Sequence, residues 1–496
     1  MASSAASDVQ QDRGGALPRS GTLAVVLAPI FMVSLDFFIV NVAIPSIQRD
    51  LHAGSAAIQW VIAGYGLAYA AGLITGGRLG DMYGRRRLYA IGLILFTLAS
   101  LLCGLSPNPA TLDTGRVLQG LAAALMSPQA LAIVSTLYAG AARARAFTVY
   151  GLTVGLGGVL GQLVGGLLIQ ANIAGEGWRT CFLINIPFGA VALALMPRLV
   201  PETRSPVRSR PDLVGAVLLT LGLVAVVLPL VEGRQQHWPL WSWLCLAAAV
   251  PLLGLFAAYQ HRIKSGGRAP LVDLGLFRER SFTVGILTEL GYFSGSASFY
   301  LIFAIYVQEG YGLDPLQAGL LAMPIGAGFL GASVFASKLA RRLGKQVLAI
   351  GMLIQVVGLV LMHVTVAHVG VTGSIALLTP ALLIFGAGSG LVMAPLASIV
   401  LAGVTPQHAG TGSGVLSTAL QVGNALGVAI IGIVFYDKLG AVATLPAFPA
   451  AFNLSVVYLT LLGVLVAVLV QFLPGRPAPA PRPARQAATD EAASRR

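Results

Sequence analysis

Three ionisable residues stand where ions are costly. Asp36, Arg116 and Glu289 each lie inside a long apolar run of this 496-residue chain. A charged side chain within a membrane-length apolar segment faces a cavity or a partner, because lipid solvates it poorly. Asp36 sits mid-run in Ser-Leu-Asp-Phe-Phe-Ile-Val-Asn. A carboxyl there can bind and release a proton: desolvation favours its neutral form and a nearby guanidinium its charged form, and such opposed pressures poise an acid for switching. Arg116 opens a stripe of Arg116, Gln119, Gly120, Ala123 and Ser127 at helical spacing, polar and small enough to line a wet cavity. The alternative is a guanidinium that snorkels to the surface. Glu289, in Thr-Glu-Leu-Gly-Tyr-Phe, is open to three roles: carrying a proton, countering a cationic substrate, or standing as a neutral, hydrogen-bonded packing acid.

Other chemistry is thin. No Gly-x-x-x-x-Gly-Lys-Ser/Thr phosphate loop occurs, and the Gly-rich stretches at 386–390 and 410–414 follow no strand pattern, so nucleotide hydrolysis is not expected. The six histidines, His52, His237, His261, His363, His368 and His408, fall mostly at loops or segment ends. Cys103, Cys181 and Cys245 lie in apolar runs without metal-ligand or disulfide spacing. Neither a catalytic constellation nor a metal site is expected, and an ion gradient remains as the energy source. Phe37, Phe38, Asn41, Tyr65, Tyr69, Gln119, Phe293, Tyr300 and Tyr306 are candidates to line a substrate cavity, the aromatic ones by stacking or cation–π attraction. Gly151, Gly155 and Gly158 form one small-residue face, and Gly157, Gly161 and Gly165, with Gln162 and Gly166 beside them, form another. Four-residue spacing of small residues lets helices approach closely, either as static packing or as a pivot.

The elements that position these residues follow from composition: 56% of the chain is hydrophobic and only 10% charged, far from the soluble norm of about 25% charged. Apolar segments fall near 22–45, 57–77, 88–106, 110–134, 146–170, 180–197, 213–231, 240–259, 282–308, 316–337, 346–368, 373–401, 412–436 and 451–473. Fourteen spans of about 20 residues make an all-α polytopic membrane protein. The first run is too long for a signal-peptide core and should remain as a span. With both termini cytoplasmic, 26 of the 31 lysines and arginines lie in inner segments and four, Arg49, Arg179, Arg234 and Lys438, in outer loops. That asymmetry obeys the positive-inside rule and turns the net charge of +13 away from nucleic acid.

Leu79-Gly-Asp-Met-Tyr-Gly84-Arg85-Arg86-Arg87, between spans 2 and 3, has a counterpart in Leu339-Ala-Arg-Arg-Leu-Gly344-Lys345, between spans 10 and 11. Transporters are commonly built from two repeated halves with the substrate site between them. The expected organisation is a cytoplasmic tail (1–20), a six-helix half (21–200), an inserted helix pair (201–262), a cytoplasmic loop (263–280), a second six-helix half (281–473) and a Pro/Ala-rich disordered tail (474–496).

These motifs resemble the major facilitator superfamily, in particular its fourteen-span drug:proton antiporter branch. Gly77-Arg78-Leu79-Gly80-Asp81-Met82-Tyr83-Gly84-Arg85-Arg86-Arg87 is similar to the loop motif between spans 2 and 3. Leu35-Asp36 with Asn41 to Pro45 is similar to the first-span motif, and Arg116-Val-Leu-Gln119-Gly120 to the fourth-span motif. Trp178-Arg179 with Phe182 to Pro187 resembles the start of span 6, and Ala409-Gly410 to Gly414 with Gln421, Gly423 and Gly427 resembles span 13. The resemblance covers residues 22–473. It implies that Asp36 couples protons with Arg116 modulating its protonation, and that Asp81, Arg85, Arg86, Gly84 and Arg78 form a cytoplasmic charge latch. It also implies that the span-5 glycines mark an antiporter. Where the family motif has Gly-Pro, Gly161 is followed here by Gln162.

The expected function is proton-coupled export of hydrophobic or amphipathic small molecules by alternating access, conferring drug or antibiotic resistance. Family members that export dications tend to carry more acids in the second half, whereas Glu289 is the only buried one here, so the resemblance implies monocationic, neutral or zwitterionic compounds over dications. The alternative is a lipid, glycolipid or native secondary-metabolite exporter of the same fold. Partners are then a small molecule, protons and the bilayer, without nucleotide or nucleic acid, in a monomer. High Ala, Gly and Arg usage suits a bacterial inner membrane.

Overall fold

A computed structural model describes residues 21–138, 140–203, 212–233, 236–266, 270–401, 409–440 and 444–473. Both tails, and residues 204–210 of the basic segment after span 6, lie outside the described residues. Among those described, fourteen long helices follow one another: α1 (Thr22–Leu51), α2 (Ser55–Tyr83), α3 (Arg85–Gly104), α4 (Pro109–Leu137), α5 (Gly140–Ala171), α6 (Asn185–Leu199, entered through the turn Thr180–Leu183), α7 (Leu213–Glu232), α8 (Leu240–Ser265), α9 (Arg280–Ile305, prolonged by the π-turn Tyr306–Gly310), α10 (Pro315–Leu343), α11 (Gln346–Val369), α12 (Thr379–Leu401), α13 (Ala409–Leu439) and α14 (Ala447–Gln471). Among the described residues thirteen spans are long and apolar enough to cross a membrane, and α5 makes a fourteenth as a pair bent by 42° between Gly158 and Leu160.

The helices overrun the apolar segments at their polar ends. The Leu79–Arg87 segment, expected as a loop, is helical up to Tyr83 and again from Arg85, with Gly84 alone breaking the chain at φ +107°. A residue with a Cβ is strained at that φ, whereas glycine is not. Caps set several starts. Asn108 accepts from the Thr111 amide ahead of Pro109. Asp212 accepts from Gly215, and Asp314 with Gln317 closes a capping box on α10.

One packing pattern occurs twice. In the first group α1 lies against α5 and α6, α4 against α2 and α3, and α3 against α6; in the second α9 lies against α13 and α14, α12 against α10 and α11, and α11 against α14. Two seams join the groups, α2 with α13 and α5 with α10. Hydrophobic association between helices is weak in lipid, so these contacts rest on close packing at small residues. A Cβ at Gly319 would meet the Gln162 carbonyl at 2.7 Å, and one at Gly66 the Gln421 carbonyl at 3.4 Å. These approaches run from mid-bundle to the face opposite the termini, where a core of Ile44, Ile47, Phe182, Phe299, Phe435 and Phe452 draws on both groups. The bundle is closed at that far face. There Gln308 Nε2 donates to the Val42 carbonyl at 2.9 Å.

The inserted helix α7 packs on α2 and α13 together, with Val227 and Val231 against Ala63, Leu67, Ala425 and Ala429. Trp60 Nε1 donates to Glu232 at 2.8 Å. Outside α7 lies α8.

The glycines of α5 divide between two neighbours, and Gly158, expected to share a face with Gly151 and Gly155, meets Phe38 of α1 instead. Gly157, Gly161 and Gly165 meet α1, where added Cβ atoms would lie 2.7 Å from Ser34 Cβ, 2.9 Å from Phe38 Cβ and 2.8 Å from Ile39 Cγ1. Gly155 and Gly166 meet α10 instead. Gly161→Val should therefore lower the melting temperature of the detergent-solubilised protein, because overpacking costs about 1–3 kcal/mol. Gly151→Val, where nothing lies within 4 Å, should stay within about 0.5 kcal/mol of the parent. Thermal unfolding of the pair checks this.

Candidate functional site: a buried ion pair among amides

Asp36 and Arg116 meet in the middle of the first group, both fully buried. Arg116 Nη1 donates to Asp36 Oδ2 at 2.5 Å. Taking two charges from water costs several kcal/mol each, which close geometry repays only if the remaining lone pairs and protons are satisfied. The surroundings do most of this with neutral groups, leaving Arg116 Nη2 without a hydrogen-bond partner among the described residues. Asp36 Oδ1 accepts from Asn185 Nδ2 at 2.8 Å and from Gln119 Nε2 at 3.2 Å. Arg116 also donates to Gln119 Oε1 at 2.8 Å and, through Nε, to the Val61 carbonyl at 2.8 Å, and its guanidinium lies 4.3 Å from the Tyr65 ring centroid. Ser100 Oγ accepts from Gln119 at 2.7 Å and Asn185 at 3.1 Å, while donating to Phe96 O at 2.8 Å. Five helices thus converge: α1 with Asp36, α2 with Val61 and Tyr65, α3 with Ser100, α4 with Arg116 and Gln119, and α6 with Asn185.

Arg116 does not snorkel. Its stripe differs from the expectation in one respect: Gly120 lies directly against the Tyr65 carbonyl and Ala68, so this part of α4 packs on α2 instead of lining a cavity. Gln119, expected at the substrate cavity, belongs to the ion-pair network. Asn185 carried only a motif and Ser100 no expectation, because a neutral polar residue in an apolar run brings no charge penalty that would single it out.

Glu289 stands apart, buried on α9 with no hydrogen bond to its Oε2. On a helical projection it shares a face with Phe293 and Tyr300. Tyr300 packs edge-on against Phe38 of α1, centroids 5.3 Å apart, so this face looks across to the first group. Phe37 joins Phe38 at 5.2 Å and Tyr65 at 6.1 Å. Tyr69 bonds Ser127. Phe293 packs on Tyr292, and Tyr306 stacks on Phe452 away from this wall. Asn41 turns back on its own helix, to the Phe37 and Phe38 carbonyls, and lines nothing in this conformation.

At the terminal face Arg85 holds Asp81 at 2.9 Å and Thr136 at 2.6 Å. Glu202, not singled out from sequence, accepts from the Arg86 and Arg87 amides at 3.0 and 3.2 Å over Gly84, where a Cβ would lie 2.9 Å from the carboxyl. Arg78 leaves this cluster and donates to the Pro270 carbonyl of the α8–α9 connection.

Two six-helix groups of like packing, the first holding a membrane-buried ion pair, define a polytopic membrane transporter. The sequence profile of the Major Facilitator Superfamily matches residues 27–428. The "Probable actinorhodin transporter" of Streptomyces coelicolor is 37% identical over 86% of this chain and 74% of its own length. The "Puromycin resistance protein pur8" of Streptomyces alboniger is 37% identical over 83% of this chain and 81% of its own. The "Multidrug resistance protein Stp" of Mycobacterium tuberculosis is 34% identical over 85% and 76%. In fold, a bacterial homologue of the human lysosomal transporter Spinster, solved inward-facing and unoccupied, superposes with a TM-score of 0.66 at 18% identity, covering 92% of this chain and 96% of that one. The chain belongs to the Major Facilitator Superfamily. It is a transporter, not an enzyme.

Removing one partner of a buried pair strands the other, at about 3–5 kcal/mol. Arg116→Met should therefore destabilise the protein strongly, and the double variant Asp36→Asn/Arg116→Met should recover most of that loss. Unfolding midpoints of both in detergent check the sign.

Proposed function

We propose that this transporter is a proton-coupled antiporter that exports amphipathic small molecules and so confers drug or antibiotic resistance. The observation that carries the reading is the buried Asp36–Arg116 pair, a carboxyl and a guanidinium 2.5 Å apart inside the membrane-spanning bundle with the amides of Gln119 and Asn185 around them. With Asp36 charged, Arg116 is its counter-ion. With Asp36 neutral, Arg116 keeps Gln119, the Val61 carbonyl and the Tyr65 ring. A coupling ion shifts a conformational equilibrium only by its differential affinity for the two states. Loss of the Asp36 charge frees α4 from α1 and supplies that difference.

The positive-inside asymmetry supports cytoplasmic termini in a bacterial inner membrane. The far face is then external, and the closed seams correspond to an inward-facing state. Protonation of Asp36 from outside and its release inside would alternate with substrate passage between the halves. The aromatic wall of Phe37, Phe38, Phe293 and Tyr300, with the buried carboxyl of Glu289 whose Oε2 has no hydrogen-bond partner among the described residues, suits an apolar body carrying at most one positive charge. Asp81 with Arg85 acts as the terminal-face latch, and the α1–α5 glycine contact as the sliding surface. The proton gradient replaces any cofactor, and one chain forms the whole pathway.

A second reading, export of a native secondary metabolite, is favoured by the relative described as an actinorhodin transporter.

Reconstituted vesicles provide the test. Hydrophobic monocations or puromycin should drive proton movement through the wild type and none through Asp36→Asn. Transport without proton movement in the wild type would sink the antiport reading.

A further inference from the structure

The two amides beside Asp36 are not equivalent. Ser100 spends its hydroxyl proton on the Phe96 carbonyl, so its lone pairs face Gln119 and Asn185 and make both amides present their NH2 groups. Gln119 is then locked twice, because its Oε1 accepts from Arg116 at 2.8 Å and from Cys103 Sγ at 3.4 Å. Asn185 is locked once: its Nδ2 bridges Asp36 and Ser100, while its Oδ1 is buried without any hydrogen-bond partner. An orphaned acceptor in a buried network costs about 1–3 kcal/mol, and here it lies on the same amide that touches the carboxylate.

A neutral carboxyl differs from a charged one by carrying a donor that needs an acceptor. Turning Gln119 over to provide one would tear its carbonyl from Arg116. Turning Asn185 over breaks no such bond and brings the idle Oδ1 to the carboxyl, and the Ser100 hydroxyl can rotate from Phe96 to meet it. We propose that Asn185 is the positioning residue of Asp36, an amide that donates to the carboxylate and turns over to accept from the protonated carboxyl. The proton comes from and returns to water, and no bond other than O–H is made or broken. Asn185 is the α6 residue of the network, so the turnover carries the state of Asp36 to that helix. This inference rests on Asp36 as the proton carrier.

Infrared difference spectra between low and high pH, on the purified protein in lipid, isolate the protonated carboxyl of Asp36 as the C=O band lost in Asp36→Asn. In Asn185→Leu, and independently in Asn185→Val, that band should move to higher frequency, since the O–H has lost its acceptor. Substrate-driven proton flux should fall about tenfold in kcat at unchanged KM, the size of one hydrogen bond to a charged group. A band that stays in place in both variants overturns the role of Asn185. A wild type without any Asp36-dependent band overturns the proton-carrier reading itself, a separate failure.

Discussion

A fully buried ion pair is the constraint on which the first six helices depend. Asp36 and Arg116 lie on helices that meet mostly through small and apolar surfaces, and such contacts tolerate sliding and rotation. The pair does not, because each of its lone pairs and protons needs a partner within hydrogen-bond reach. Satisfying it draws Val61 of α2, Ser100 of α3 and Asn185 of α6 into one register. Specific geometry thereby enters contacts that small and apolar surfaces alone would leave free to slide.

The second group repeats the packing but not the chemistry. Where α1, α3 and α4 bring together Asp36, Ser100 and Gln119, the helices α9, α11 and α12 bring together Tyr292, Gln355 and Ser389. Gln355 donates to Ser389 Oγ at 3.0 Å and Tyr292 to the Ser389 carbonyl at 3.4 Å. Every member is neutral. The same crossing of helices is held on one side by an ion pair and on the other by neutral dipoles, so the two groups differ in charge where they agree in packing.

Much of this was legible because membranes make sequence signals loud. Uninterrupted apolar runs mark the helices, and the cost of burying charge marks Asp36 and Arg116. Boundaries were less legible: α1 continues to Leu51 and α2 to Tyr83 because a helix need not stop where the apolar run does. Ser100 and Asn185 escaped because a neutral polar side chain in a span has many innocent uses. Glu202 escaped because its role is created by the absent side chain of Gly84, a relation between residues over a hundred positions apart. Gln119 was assigned to the wrong wall, since helical spacing shows which residues share a stripe but not which neighbour the stripe meets.

The place of α7 has a consequence for how ligands reach the interior. The two seams between the groups are equivalent in packing, yet α7 covers only the one between α2 and α13. Lipid therefore borders the α5–α10 seam more directly. A molecule dissolved in the bilayer meets an asymmetric protein, screened on one flank by the inserted helices and approachable on the other. The insertion thus breaks, toward the lipid, the symmetry that the two six-helix groups keep in their packing.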